Sequence, residues 1–193
     1  MSMNFLTDGP EDASRTLILA HGAGGGMKTA FLAAIARGLG ERGIRVVRFE
    51  FPYLSAGKKV PDREPILLDA WREAVRLTGD AKELAIGGKS MGGRMASMVS
   101  DELGVRRLLC LGYPFHPPGK PEKLRTAHLA SLRTPTLIVQ GTRDQFGTRE
   151  DVAGYELSKS IHVEWLEGAD HSYRPREKEN TARAIELAAS FLD

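Results

Sequence analysis

This sequence predicts an α/β fold of three layers: about six mostly parallel strands, helices on both faces and no cap domain. Two observations carry that expectation. Short continuous apolar runs alternate with longer segments of helical periodicity along the chain. Such strict alternation implies a parallel sheet covered on both sides. The chain is also 193 residues long, the size of one domain with a core that needs no staples. Residues 1–193 therefore read as a single domain, with 1–14 as an N-terminal extension that leaves little room for a leading hairpin.

Five runs have the composition of strands buried on both faces: Thr16–Ala20, Arg45–Phe51, Leu84–Gly87, Arg107–Gly112 and Thr136–Gly141. A sixth, Ile161–Leu166, alternates apolar and polar residues, as an edge strand does. The helical segments between them are Thr29–Leu39, Pro65–Leu77, Met91–Leu103, Asp151–Ser158 and Lys178–Leu192. In the second of these, Ile66, Leu67, Ala70, Val75 and Leu77 fall at helical spacing. The stretch Tyr113–Thr134, rich in proline (114, 117, 118 and 121), reads as an irregular surface crossing with room for one helical turn.

Composition removes several function classes. A net charge of +2 arises from 27 basic and 25 acidic residues that are well mixed, so no basic stripe exists to bind nucleic acid. No apolar run approaches the roughly 20 residues that span a bilayer, and the first fifteen carry acids and no long apolar core, unlike a signal peptide. The single cysteine, Cys110, sits in an apolar run and reads as a buried small hydrophobe. A reducing cytoplasm fits this usage. Whether the chain is a monomer or a homodimer is left open.

The informative stretch is Ile86–Gly93, IGGKSMGG. It contains Gly-Lys-Ser, the tail of a phosphate-binding P-loop, and Gly-x-Ser-x-Gly, the turn that presents a nucleophilic serine. A P-loop needs a glycine five residues before the Gly-Lys-Ser glycine. That position is Glu83, whose carboxylate would repel phosphate. The serine turn is complete, with Gly88, Ser90 and Gly92 between an apolar run and a helical one. Small residues flank the serine because strand and helix pack closely around a strained backbone angle.

In a parallel sheet, functional loops gather at the carboxyl ends of the strands, so partners of Ser90 should follow other strands. The first strand ends in HGAGGG. Its spacing fits a dinucleotide fingerprint poorly, with Met27 at the third glycine position. A loop of this kind supplies one N–H of an oxyanion hole, and the residue after the nucleophile supplies the other. Ala23 and Met91 are the assigned donors, with Gly24 as the second choice beside Ala23. The fifth strand is followed by Asp144 and the sixth by His171. An aspartate there is placed to hold an imidazole, although aspartate is also common as a turn former. The remaining histidines, His21, His116, His128 and His162, fit structural or solvent roles better. The order Ser90, Asp144, His171 is that of the α/β-hydrolase fold.

With HGAGGG, GGKSMGGR, LGYPFHPPGKPEKLR, GTRD and GADHS in hand, the chain resembles the small, cap-less, dienelactone-hydrolase-like α/β-hydrolases. It is most similar to the branch of the eukaryotic non-specific-lethal complex subunit and the testis-expressed hydrolase-like proteins. The resemblance runs from about Arg15 to the C-terminus and implies Ser90 as nucleophile, Asp144 as acid and His171 as base. Dienelactone hydrolases proper carry cysteine at the position of Ser90, so their substrate does not transfer.

These readings combine into a serine hydrolase that cleaves ester or related acyl bonds of a small-molecule acyl substrate and needs no cofactor or metal. Carboxylester, thioester, lactone and peptide substrates all fit, with a carboxylester favoured. The absence of a cap suggests a shallow, open site with Tyr53, Tyr113, Phe115, His116 and Phe146 as walls and the proline-rich loop as a partial lid. Lys89 is expected to point outward, and Arg94 to anchor the helix after the serine rather than to face an acidic substrate group. The rival reading is a catalytically idle binding module on the same fold.

Overall fold

The computed structural model describes residues 3–193. Seven strands form one sheet in the order β1-β3-β2-β4-β5-β6-β7. Six are parallel: β2 (Thr16–Ala20), β3 (Arg45–Phe49), β4 (Leu84–Lys89), β5 (Arg107–Leu111), β6 (Thr136–Gly141) and β7 (Ile161–Leu166). The seventh, β1 (Phe5–Asp8), pairs antiparallel with β3. The sheet agrees with the expected fold class and has one strand more than the six runs singled out, contributed by the N-terminal extension. Only Phe5 and Leu6 are apolar in β1, too few for a hydropathy signal. The strand is defined by its backbone pairing with β3 and by the Asp8–Arg48 ion pair at 2.7 Å.

Alternation within each strand divides the core in two. Ile18, Phe49, Ile86, Leu108 and Ile138 face α3 (Glu64–Thr78) and α4 (Met91–Leu103). Leu17, Leu19, Val46, Leu109, Leu111, Leu137 and Val139 face α1 (Ala30–Gly40) and α6 (Glu177–Leu192). Apolar side chains on both faces are why these strands read as continuous apolar runs. In α3 the buried stripe is Leu67, Ala70, Trp71, Ala74 and Val75. Ile66 and Leu77, counted in the apolar repeat, are exposed. The expected helix over 151–158 is α5, Arg149–Ala153, set two residues earlier by a capping box between Thr148 and Asp151. A short helix, α2 (Pro52–Ser55), follows β3, and the proline-rich crossing holds one 3₁₀ segment, Ala127–Ser131.

No further layer covers the carboxyl end of the sheet among the described residues. All the loops singled out in the sequence emerge at that end.

Candidate active site

Ser90 stands between β4 and α4 with φ 52° and ψ −116°. A non-glycine residue in such a conformation costs on the order of 1–3 kcal/mol and persists only where the surroundings over-determine it. Here the surroundings are backbone. A Cβ on Gly88 would lie 2.6 Å from the Ala20 carbonyl oxygen, and one on Gly92 would lie 2.6 Å from the carbonyl oxygens of both Ala20 and His21. The two glycines let β2, β4 and α4 close around the serine and drive its side chain outward.

The three residues expected from separate strand ends meet. His171 Nε2 lies 2.9 Å from Ser90 Oγ, and His171 Nδ1 lies 2.7 Å from Asp144 Oδ2. Asp144 is fully buried. Its Oδ1 accepts from the Phe146 N–H at 2.9 Å and its Oδ2 from Gln140 Nε2 at 3.1 Å. Burial pulls the His171 pKa below its ordinary value; the Asp144 hydrogen bond opposes that shift and the nearby Lys89 charge adds to it. The Phe146 ring leans on the imidazole, centroids 4.2 Å apart.

Ala23 and Met91 both line the cavity at Ser90. Met91 opens α4, so its N–H has no carbonyl one turn back. Neither it nor the Ala23 N–H donates to a backbone acceptor among the described residues. The Ala23 loop is held from behind by two buried side chains. His21 Nε2 accepts from the Phe51 N–H at 3.1 Å, which leaves Nδ1 to donate to the Gly22 carbonyl at 2.8 Å. The Tyr53 hydroxyl donates to the Ala23 carbonyl at 3.3 Å.

The cavity measures about 760 Å³ and includes Ala23, Gly24, Ser90, Met91, Phe146 and His171 in its lining. Four residues expected as walls are not among its lining and are buried instead: Tyr53, Tyr113, Phe115 and His116. Each is scaffold, since aromatic bodies fill the space under a loop more economically than water does. Phe115 packs on Tyr113 and Tyr155. The His116 N–H donates to the Phe146 carbonyl at 3.1 Å, joining the proline-rich loop to the loop that carries Phe146. Only Pro114 and Arg125 of that proline-rich loop reach the cavity.

Of two further residues, one differs from expectation and one agrees with it. Lys89 turns toward the His171 loop instead of outward: its ammonium donates to the His171 carbonyl while the side chain lines the cavity. Arg94 does anchor its helix, pairing with Glu64 of α3 at 2.7 Å, while also lining the cavity. Gln140 is absent from the residues expected at the site, although a polar residue at the end of a buried apolar strand is itself a signal. It is fully buried. Besides Asp144, it bonds the Tyr113 N–H at 2.7 Å, the Tyr113 carbonyl at 3.2 Å and the Gly147 carbonyl at 3.1 Å.

A second serine–histidine contact exists, Ser97 Oγ to His128 Nε2 at 2.8 Å. It differs in kind. The Ser97 hydroxyl already donates to the Arg94 carbonyl at 2.7 Å, the serine is buried, and no carboxylate bonds the far nitrogen of His128 among the described residues. Among the same residues, no group of three His, Cys, Asp or Glu side chains is arranged to hold a metal ion, and no helix is long and apolar enough to cross a membrane.

Residues 13–191 match the model of the alpha/beta hydrolase domain family. The chain belongs to this family. Among solved structures, this hydrolase-family chain is similar to an alpha-beta serine hydrolase homologue from Coxiella burnetii, with a TM-score of 0.78 and 21% identity over 96% of this chain and 91% of that one. It is also similar to a lidless α/β serine hydrolase from Xanthomonas campestris, with a TM-score of 0.76 and 21% identity over 97% and 88% of the two chains. Est1E of Butyrivibrio proteoclasticus, solved with ferulic acid bound, superposes with a TM-score of 0.78 at 18% identity over 98% and 95%. At these identities the likeness concerns the fold, and the site of this α/β-hydrolase family member is argued from its own residues.

Proposed function

We propose that this chain is a serine hydrolase that cleaves ester or related acyl bonds of small substrates, with Ser90 as nucleophile, His171 as general base and Asp144 as its orienting acid. One observation carries the reading: an unbroken hydrogen-bond chain from buried Asp144 through His171 to Ser90, at 2.7 and 2.9 Å, ending in a cavity.

Asp144 accepts from Nδ1–H, which leaves Nε2 as the basic nitrogen facing Ser90. His171 takes the hydroxyl proton as Ser90 Oγ attacks the acyl carbon. The Met91 and Ala23 N–H groups receive the oxyanion, each contributing roughly 3 kcal/mol to the transition state. His171 then gives its proton to the leaving group, and water repeats the sequence on the acyl-enzyme. Every group in this scheme belongs to the chain, so it calls for no cofactor. A cavity of about 760 Å³ falls within the range of small-molecule sites and admits more than the shortest acyl groups. On its motifs, we further assign the chain to the dienelactone-hydrolase-like branch named above, with a carboxylesterase-like activity.

Labelling with a fluorophosphonate probe tests this. Wild type is expected to label, and Ser90→Ala and His171→Ala to lose labelling while keeping their fold. A folded wild type that does not label overturns the proposal and favours a binding module.

A further inference from the structure

Lys89 is a charged side chain that the scheme above leaves unused. It ends β4, one residue before Ser90, and its ammonium is partly shielded from solvent at the cavity wall. The His171 carbonyl accepts from it, the Tyr173 and Phe31 rings lie 5.3 and 5.7 Å away, and the position of a Cβ on Gly112 is only 2.6 Å from Nζ. Holding an ammonium away from bulk water is costly, and Lys89 does so at the wall of the cavity that it helps to line.

We infer that Lys89 is a positioning residue: its ammonium ties the His171 loop to the strand that ends in Ser90 and keeps the imidazole uncharged between Asp144 and Ser90. The inference rests on the reading of those three residues as a hydrolase site.

Two arguments support it. The first is mechanical. Ser90 and His171 lie 81 residues apart on loops from different strands. A catalytic contact tolerates little drift, since a displacement of about 1 Å can cost on the order of a hundredfold in rate. Lys89 adds a tie beside the Ser90–His171 bond, and it grips backbone, so the ring stays free to shuttle its proton. The second is electrostatic. Asp144 alone would draw a proton onto His171, whereas a positive charge nearby disfavours the imidazolium. Burial and the Lys89 charge act in the same direction on His171. The groups that face Lys89 are Asp144 from the loop after β6 and Asp170, His171 and Tyr173 from the loop after β7. Phe31 of α1 and Gly112 after β5 add no charge, and Arg174 and Glu177 line the same cavity farther along. Burial brings the Lys89 pKa down to about 8, against the pull of Asp144 and Asp170, so the tie weakens in mildly alkaline solution.

The test compares wild type with Lys89→Met, which keeps length and loses charge, and Lys89→Gln, which keeps a donor and loses charge. The His171 imidazole is titrated by NMR in all three, alongside the pH profile of fluorophosphonate inactivation. In both variants the His171 midpoint is expected to rise by about one pH unit, and the acid limb of inactivation to rise with it. At neutral pH the maximal inactivation rate should fall about tenfold or more in the methionine variant and less in the glutamine variant, with the probe's half-saturating concentration little changed. A second inflection near pH 8 in the wild-type His171 resonances, absent from both variants, completes the expectation and needs no variant to be seen. A His171 midpoint that stays put, or wild-type resonances without that inflection, overturns the inference. A wild type that does not label at all overturns the hydrolase reading instead, while the NMR titration still decides what Lys89 does to His171.

Discussion

Gln140 Nε2 donates to Asp144 Oδ2 at 3.1 Å, on the same oxygen that receives His171 Nδ1 at 2.7 Å. One carboxylate oxygen thus serves both the imidazole and a buried amide. The amide in turn holds the backbone at Tyr113 and Gly147, so the acid is aimed from inside the sheet rather than by solvent.

Gln140→Met keeps the length of that side chain and removes every polar contact. It strands the Tyr113 N–H and the Tyr113 and Gly147 carbonyls in a dry interior. Each unsatisfied group costs roughly 1–3 kcal/mol, so a loss of about 3 kcal/mol is expected in urea unfolding, with slower fluorophosphonate labelling. Unchanged stability contradicts the assigned network.

The elbow glycines make a sharper case. Gly92→Ala puts a methyl against two backbone oxygens at 2.6 Å, and backbone cannot rotate away as a side chain does. Such overpacking costs about 3 kcal/mol or more. Gly24→Ala, where a Cβ meets nothing within 4 Å, should change stability by less than about 0.5 kcal/mol. Thermal melts of the two variants check the contrast, which inverts if the loop and not the elbow is the tight point.

Most of the fold and the placing of Ser90, Asp144 and His171 after separate strands were legible in the sequence because they rest on local rules. Buried parallel strands are apolar on both faces, and the elbow demands its glycines, so Thr16–Ala20, Met91–Leu103 and Ser90 follow from pattern alone. The pocket walls were not legible. Tyr53, Tyr113, Phe115 and His116 look like binding-site aromatics because they sit in the correct loops, but the direction of a loop side chain is set by tertiary contacts with no sequence period. The course of Lys89 is hidden from the sequence for a related reason. A lysine beside an exposed serine would by composition seek water, and only the nearby His171 carbonyl and Tyr173 ring make a course toward the His171 loop favourable.

Acid should act on the site through His171. Its pKa is lowered, chiefly by burial, and under the proposed mechanism the neutral form is the base, so labelling at pH 6.5 should exceed half its plateau and the acid limb should be centred below that value. His21 and His128 are also lowered by burial. For all three the unfolded chain takes up protons first as pH drops through about 6.5, so folding stability should decline below that value. Stopped-flow labelling and urea midpoints between pH 5 and 8 read both effects. An acid limb centred above 6.5 contradicts the buried imidazole.

Base should act through Lys89. With a folded pKa of about 8 against an ordinary 10.5, the unfolded chain binds more protons between those values, and stability contributed at this position rises with pH across that window. Below pH 8 the shielded charge is a net cost to folding. Any stability advantage of Lys89→Met over wild type at pH 7 should therefore shrink by pH 9.5. Parallel urea curves at the two values would show an ammonium that is solvated after all.

Two serine–histidine contacts of nearly equal length occur in this chain, 2.9 Å at Ser90 and 2.8 Å at Ser97, so distance alone does not choose between them. Proton direction does. At Ser97 the hydroxyl hydrogen is committed to the Arg94 carbonyl, so His128 Nε2 must donate and cannot act as a base toward that oxygen. At Ser90 the acid on the opposite nitrogen fixes Nδ1 as the donor, and Nε2 is left to accept. Ser97→Ala should therefore keep full fluorophosphonate labelling and lose about 1 kcal/mol of stability, the net worth of a buried hydrogen bond. Mass spectrometry of the labelled wild type should find the adduct on the peptide containing Ser90. An adduct on Ser97, or labelling abolished by Ser97→Ala in a folded protein, would move the nucleophile to the other pair.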